Sequence, residues 1–296
     1  MHYFATIGFF DGVHQGHRCL LEQLKAAARA AQMQPMVVTF KRHPRNVLNK
    51  DGTAPPSLLT TLEERISLLR EAGVSRVEVL DFTPQMASLT AMDFLRKELH
   101  PRGVRGLLMG FNHRFGSDRD KSYEDLKREA TTIGITIKRA SQLDGEEKVS
   151  STLIREAVAN GQIDKACHLM GHPYMLTGKV EHGHQIGRTI GFPTANVMPS
   201  ANKLLPADGV YFGKALLHKP MPAIINIGTR PTVEQSGKRT VEAHLLDFDG
   251  DLYGQELTIT LEHRHRAEKA FPRIEDLRAQ LQADAEDCKT YFSTPQ

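Results

Sequence analysis

The sequence predicts an α/β fold with a parallel sheet in the first half of the chain, and in the second half a small antiparallel β-barrel or sandwich with a terminal helix. Three patterns predict it. To about residue 160, short apolar runs alternate with amphipathic helical stretches, as in a parallel sheet with crossover helices. After Gly171 the runs become alternating and β-branched, punctuated by Gly and Pro, as in a small barrel or sandwich. From Ile274 to Phe292 helical spacing returns in Leu277, Leu281 and Ala285. The domains expected are residues 1–171 and 172–296, with no long linker between them.

The first strand is the apolar run Tyr3 to Gly8. The segment GFFDGVHQGH, Gly8 to His17, leads from it into a helix whose inner face is Leu20, Leu21, Leu24, Ala27, Ala28 and Ala31. Further strands are expected at Met36 to Phe40, Val77 to Phe82, Gly106 to Gly110 and Ile135 to Ala140. Between them, Thr61 with Glu64 forms a capping box for a helix that stops at Gly73, and Thr90 caps one that reaches Leu99 before Pro101. SSTLIREAVANG at 150–161 begins a helix on Ser and Thr and ends it at Gly161. The second half offers strands at Met175 to Val180, Val210 to Leu217, Ala223 to Ile227, Thr240 to Phe248 and Glu256 to Glu262.

The 296 residues are 40% hydrophobic and 25% charged, enough for two cores of ordinary size. A net charge of +3 is small and the basic residues are dispersed, so nothing in the charge argues for a nucleic-acid partner and none is expected. No run approaches the roughly 18 apolar residues of a membrane span, and the start, MHYFATIGFF, has no signal-peptide pattern. Cys19, Cys167 and Cys288 are scattered singly and are expected to be free thiols in a reducing compartment. The expected location is the cytoplasm; a homo-oligomer is left open.

His14 and His17 stand where a strand gives way to a helix, so orphan backbone N–H groups and the helix dipole favour an anion there. Gly12 and Gly16 let a ligand approach the backbone, and the whole outlines a nucleotide phosphate site. Zinc would need further ligands that the scattered cysteines do not supply. SSTLIREAVANG is either an ordinary cap with a surface Arg155, or a second phosphate cradle made of Ser151, Thr152 and Arg155 and facing the first. TFKRHP at 39–44 and GFNHRFG at 110–116 each set an aromatic ring, an imidazole and a cation after a strand, suited to a flat ring system bearing phosphate. Phe40, Phe111 and Phe115 fit a core role equally well.

In the second half, GKVEHGHQIGRTIGFPTAN at 178–196 spaces glycines at 178, 183, 187 and 191, a pattern shared by phosphate loops and hairpin turns. Thr194 and Asn196 of PTAN offer oxygens hard enough for Mg²⁺. In TVEAHLLDF, Val241, Ala243 and Leu245 face one side while Glu242 and His244 face the other. That second face is either solvated or aims Glu242 into a cleft as a general base. DFDGD at 247–251 fails as a calcium loop, with Leu252 where Gly is required and Thr258 where Glu is required, and is expected to be a hairpin turn.

These segments together resemble the prokaryotic bifunctional riboflavin kinase/FAD synthetase family along nearly the whole chain. In the first half the resemblance rests on GFFDGVHQGH, TFKRHP, GFNHRFG and SSTLIREAVANG in the family's order. In the second it rests on PTAN, GVYFG after Pro206, NIGTRPT at 226–232, VEAHLLDF and RHRAEKAF at 264–271. It implies a Rossmann-like nucleotidyltransferase domain over residues 1–171, acting as FMN adenylyltransferase (FAD synthetase), and a riboflavin kinase barrel over 172–296. It further implies that Gly8, Phe9, His14, Gly16, His17, Ser151, Thr152 and Arg155 handle ATP, with His14, His17 and Arg155 catalytic. His43, Asn112, Arg114 and Gly116 would contact FMN.

In the kinase half the resemblance assigns Gly178, Gly187, Arg188, Thr194 and Asn196 to ATP, with Mg²⁺ on Thr194 and Asn196. Glu242 becomes the base that takes the proton of the riboflavin 5′-hydroxyl, beside Arg266, Glu268 and Phe271 at the flavin. Riboflavin, FMN and ATP are then the partners, and FAD the product. Phe9 stands where many members carry Asn, which implies altered contacts near the nucleotide. The usual stretch before the first strand is nearly absent, so a truncated or misassigned start is expected. Other readings of the same residues are a flavin-binding regulator that keeps the fold and another HxGH adenylyltransferase.

Overall fold

A computed structural model of the chain describes residues 1–48, 55–111, 115–118, 121–141, 149–183, 187, 190–229 and 239–294. They form two compact units: residues 1–56 with 62–150, and residues 57–61 with 151–296.

The first unit is built on five parallel strands, β1 (Tyr3–Ile7), β2 (Gln34–Phe40), β3 (Arg76–Leu80), β4 (Val104–Met109) and β5 (Thr136–Arg139), in the order β3-β2-β1-β4-β5. The central strands are apolar on both faces because helices cover both. Ala5, Val37, Val38, Leu107 and Leu108 are accordingly buried. The hydroxyl of Thr6, also buried, donates to the Leu108 carbonyl at 2.9 Å and fastens β1 to β4. The helices are α1 (Gln15–Ala30), α2 (Arg45–Leu48), α3 (Leu62–Glu71), α4 (Pro84–Ala87), α5 (Ala91–Phe94) and α6 (Tyr123–Thr132). Of the expected inner face of α1, Leu21, Leu24 and Ala28 are fully covered.

Thr90 caps α5 as expected, its hydroxyl accepting from the Asp93 N–H at 3.1 Å. The helix does not run on regularly to Leu99. It widens into a π turn over Leu95–Leu99 and closes in a 3-10 turn over His100–Arg102. Pro101 has no N–H to continue an α ladder, so the chain leaves the helix there.

The second unit carries the antiparallel strands β6 (Tyr174–Glu181), β7 (Ala195–Pro199), β8 (Gly209–Leu216), β9 (Pro220–Thr229), β10 (Arg239–Leu245), β11 (Glu256–Leu261) and β12 (His263–Arg266). Their order is β11-β6-β7-β10-β9-β8-β12, and the extra pairing of Ile259 with Ala215 joins β11 to β8. Six strands thus close a barrel with β12 appended to β8, and Leu176, Ile225, Ile227, Val241, Ala243, Ile259 and Leu261 are buried. Helices α7 (Ser151–Ala159) and α8 (Ile163–Met170) precede the barrel, and α9 (Ile274–Ser293) follows it. On α9 the fully covered positions are Asp284 and Cys288, with Leu277, Leu281 and Ala285 only partly buried.

DFDGD is not a hairpin turn. It lies in the connection from β10 to β11, and these strands are not neighbours: β10 pairs with β7 and β9, β11 with β6 and β8. The segment crosses between non-adjacent strands, which a two-strand turn cannot do.

Candidate functional site

In a parallel sheet, ligands sit beyond the carboxyl ends of the strands, where the strand order reverses. Here β2 and β4 flank β1, so the loops after all three share that edge. They are the three loops that the sequence singles out: GFFDGVHQGH after β1, KRHP after β2 and GFNHRFG after β4. The sheet therefore gathers Gly8, Phe9, His14, Gly16, His17 and His43 at one edge. Asn112 and Arg114 lie outside the described residues.

The turn after β1 is held in unusual backbone. Phe10 and Val13 adopt φ of 57° and 37°. A β-branched residue at positive φ is strained, and such strain persists where the surroundings over-determine it, typically at functional sites. His14 is the N-cap of α1 and only 6% exposed. Its Nδ1 accepts from the His17 backbone N–H at 3.4 Å, which places the His14 ring proton on Nε2 in the neutral form. The two imidazoles stack with centroids 3.7 Å apart, and Phe10 meets His17 edge-on at 5.1 Å. Burial, and secondarily the neighbouring His14, pushes the His17 pKa well below 6.5. His17 is therefore held neutral, and its Nδ1 is buried without a hydrogen-bond partner among the described residues.

Phe9 is half-buried, its carbonyl accepting from the Thr39 hydroxyl at 3.1 Å and its ring meeting His43 edge-on at 4.5 Å. His43 in turn accepts at Nδ1 from the Arg45 N–H. Phe40 belongs to the core and Phe115 packs on Phe94 at 5.8 Å, whereas Phe111 stands 48% exposed and so has no core role. Gly116 has φ +91°, and a Cβ there would lie 2.4 Å from the Ala91 nitrogen. Packing against the start of α5 thus accounts for glycine at this position.

Ser151 and Thr152 open α7 in the second unit, and Arg155, one turn in, donates through Nε to the Ser57 carbonyl at 2.9 Å.

In the barrel, β10 lies between β7 and β9 in a register that sets Glu242 opposite Asn196 on one side and Asn226 on the other. Directly opposed residues share a face, so a carboxylate is flanked by two amides. Glu268 joins this row: its Oε1 accepts from Asn226 Nδ2 at 2.9 Å. Thr194 stands two residues before Asn196, and His244 two after Glu242, with a ring nitrogen 2.8 Å from the Pro193 carbonyl. A cavity of about 530 Å³ is walled by Val180, Pro193, Thr194, Ala195, Ala243 and Leu245 and by residues 248–253, so Thr194 lines it, while β10 contributes Ala243 and Leu245 from the face opposite Glu242 and His244. Phe248, Asp251 and Tyr253 escape a reading by motif because they form this wall only once the β10–β11 connection crosses the barrel. Their signal in the sequence is an acidic-aromatic string with no calcium-loop spacing.

Gly178 does not line the cavity. It sits mid-strand in β6, where a Cβ would lie 2.3 Å from the Met198 carbonyl, so strand packing accounts for it. The Gly187 carbonyl accepts from the Phe192 N–H at 2.8 Å, and Arg188 lies outside the described residues. Arg266 is engaged elsewhere: its guanidinium forks onto Asp284 of α9 at 3.0 and 2.6 Å. Phe271 is partly buried, with the Lys269 ammonium 5.5 Å from its ring. No helix among the described residues is long and apolar enough to cross a membrane.

Comparison with known proteins finds two family matches in the chain. Residues 2–153 match the family model of FAD synthetase, and residues 170–292 that of riboflavin kinase. The bifunctional riboflavin kinase/FMN adenylyltransferase of Escherichia coli K12 is 38% identical over 292 residues, covering 97% of this chain and 92% of the relative. That of Pseudomonas fluorescens is 37% identical over 284 residues, covering 95% and 90%. Among solved structures, a protein described as a macrolide-efflux protein from Streptococcus pneumoniae matches with a TM-score of 0.83 at 32% identity, over 97% of this chain and 94% of the other.

Proposed function

Because the chain belongs to the bifunctional riboflavin kinase/FMN adenylyltransferase family, we propose that its two activities divide between residues 1–171 and 172–296, with the residues below in named roles. The protein phosphorylates riboflavin to FMN and joins FMN to the adenylyl group of a second ATP, giving FAD and pyrophosphate.

The two steps ask different things of the protein. The riboflavin 5′-hydroxyl must lose a proton as it attacks the γ-phosphorus of ATP, with ADP leaving, so a positioned base is needed. The single observation that carries the reading is the row Asn196–Glu242–Asn226 on the barrel, which holds one carboxylate between two neutral amides. Glu242 takes the proton, and the cavity beside Thr194 receives the nucleotide. The Thr194 hydroxyl and Asn196 amide oxygens are a donor set that fits Mg²⁺ together with ATP phosphates. When bound, the ion neutralises phosphate charge.

In adenylyl transfer the attacking FMN phosphate is already ionised, so no base is required and catalysis is positioning with charge stabilisation. His14 and His17 serve as hydrogen-bond donors to ATP phosphates, aided by the α1 N-terminus. Ser151, Thr152 and Arg155 also engage ATP, and the KRHP and GFNHRFG loops receive FMN. ATP use and three free thiols support the cytoplasm as the location.

Glu242→Gln tests the division. FMN formation from riboflavin should fall by about 10²–10⁴-fold, while FAD formation from supplied FMN is retained. Equal loss of both in a folded variant would sink the assignment.

A further inference from the structure

One buried charge belongs to none of these roles. Arg65 lies on α3 and is 1% exposed. Its Nη2 donates to the Phe40 carbonyl at 2.7 Å, and its guanidinium carbon stands 4.1 Å from the centre of the Phe9 ring. Nε and Nη1 are buried with no hydrogen-bond partner among the described residues. Desolvation lowers its pKa to about 10, opposed by the charges of Asp11 and Glu63, so it stays cationic at neutral pH.

A buried cation with two unmade hydrogen bonds is a costly way to fill space, and a well-packed hydrocarbon of that size would give equal or better stability. What arginine does here that a hydrocarbon cannot is grip two strand ends at once. It binds the carbonyl that ends β2 and attracts the face of the ring that follows β1. His43 meets the same ring edge-on, so guanidinium, phenyl and imidazole form one contact chain across the carboxyl ends of β1 and β2.

We infer that Arg65 is a positioning residue for FMN binding in the first unit, acting through Phe9 to hold His43 and the wall that receives the flavin nucleotide. This rests on the reading that the first unit transfers the adenylyl group to FMN. Phe9 here stands in for the amide common in the family: the ring uses the cation's face, while Nη2 keeps the Phe40 carbonyl and Nε and Nη1 find no partner among the described residues.

The test is steady-state FAD formation from supplied FMN in the full chain, with hydrogen-exchange protection of the β1 and β2 amides as the fold control. Arg65→Met should raise the KM for FMN about tenfold, leaving the KM for ATP within about twofold. Arg65→Lys should recover part of the loss. Phe9→Leu, which keeps the arginine and so guards against a misfolded Arg65 variant, should raise the FMN KM similarly. The double variant should cost no more than the worse single, because both act through one chain of contacts. An unchanged FMN KM in folded Arg65→Met overturns the inference. So do losses falling equally on ATP, multiplicative effects in the double variant, or Phe9→Leu at wild-type KM. A wild-type chain that makes FMN but no FAD overturns the reading beneath it as well.

Discussion

At the turn after β1, burial and the adjacent His14 keep His17 neutral in a shell that also includes the Phe10 ring. The linkage sign follows from that lowered pKa. Above about 6.5 the imidazole is neutral folded and unfolded, and the stability is fully present. As pH falls below 6.5 the unfolded chain takes up the proton first, so stability is lost. His17→Gln removes this term. Denaturant melts of the first unit should show wild type losing about 1 kcal/mol more than the variant between pH 7.5 and 5.5; parallel losses would refute the buried neutral state. The two histidines are legible in the sequence because HxGH between a strand and a helix has few other uses. Arg65 is not legible: in LEERISLLRE it looks like any charge on an exposed helix face, and only the packing of α3 on the strand ends buries it.

Among the elements, β1, β2 and β4 announce themselves as apolar runs, and the barrel strands β6, β8 to β11 as alternation. β7 and β12 do not. ANVMP mixes a polar amide and a terminal proline, and HRHR carries no apolar face. β12 is instead fixed by charge: Arg266 reaches Asp284, which is 0% exposed on α9 and also accepts from Gln280 at 2.9 Å. Burial acts to raise the Asp284 pKa, but hydrogen bonds from Arg266 and Gln280 and the Arg266 and His265 charges outweigh it and hold it below the usual value. Removing the carboxylate takes away charge-assisted hydrogen bonds to a guanidinium that is 22% exposed and can still meet water, so Asp284→Asn should cost about 1–3 kcal/mol in equilibrium unfolding. Because the folded pKa is depressed, the wild-type advantage is present above the ordinary carboxylate range and shrinks as pH falls through the folded value. An advantage that persists undiminished in strong acid would show that packing, not the ion pair, carries it.

At the scale of the whole molecule, chain order and spatial unit disagree at one place. Residues 57–61 come from the middle of the first half, yet they belong to the second unit. Leu58 pairs with Lys203: its N–H donates to the Asn202 carbonyl at 2.7 Å, and its carbonyl accepts from the Leu204 N–H at 2.8 Å. Lys203 is buried, its ammonium 2.5 Å from the Leu59 carbonyl and 4.4 Å from the centre of the Tyr174 ring. Periodicity could not disclose this, since a single bridge between residues about 145 apart leaves no local pattern. It does make the second unit discontinuous in sequence, with a consequence for where its stability resides. Leu58→Pro in the full chain removes the donor and leaves the Asn202 carbonyl unmet. It should therefore destabilise the barrel unit by about 1–3 kcal/mol and speed hydrogen exchange at the Leu204 amide, while the Val38 amide in β2 keeps its protection. Unchanged exchange at Leu204 would mean that the bridge is incidental and that the barrel stands without it.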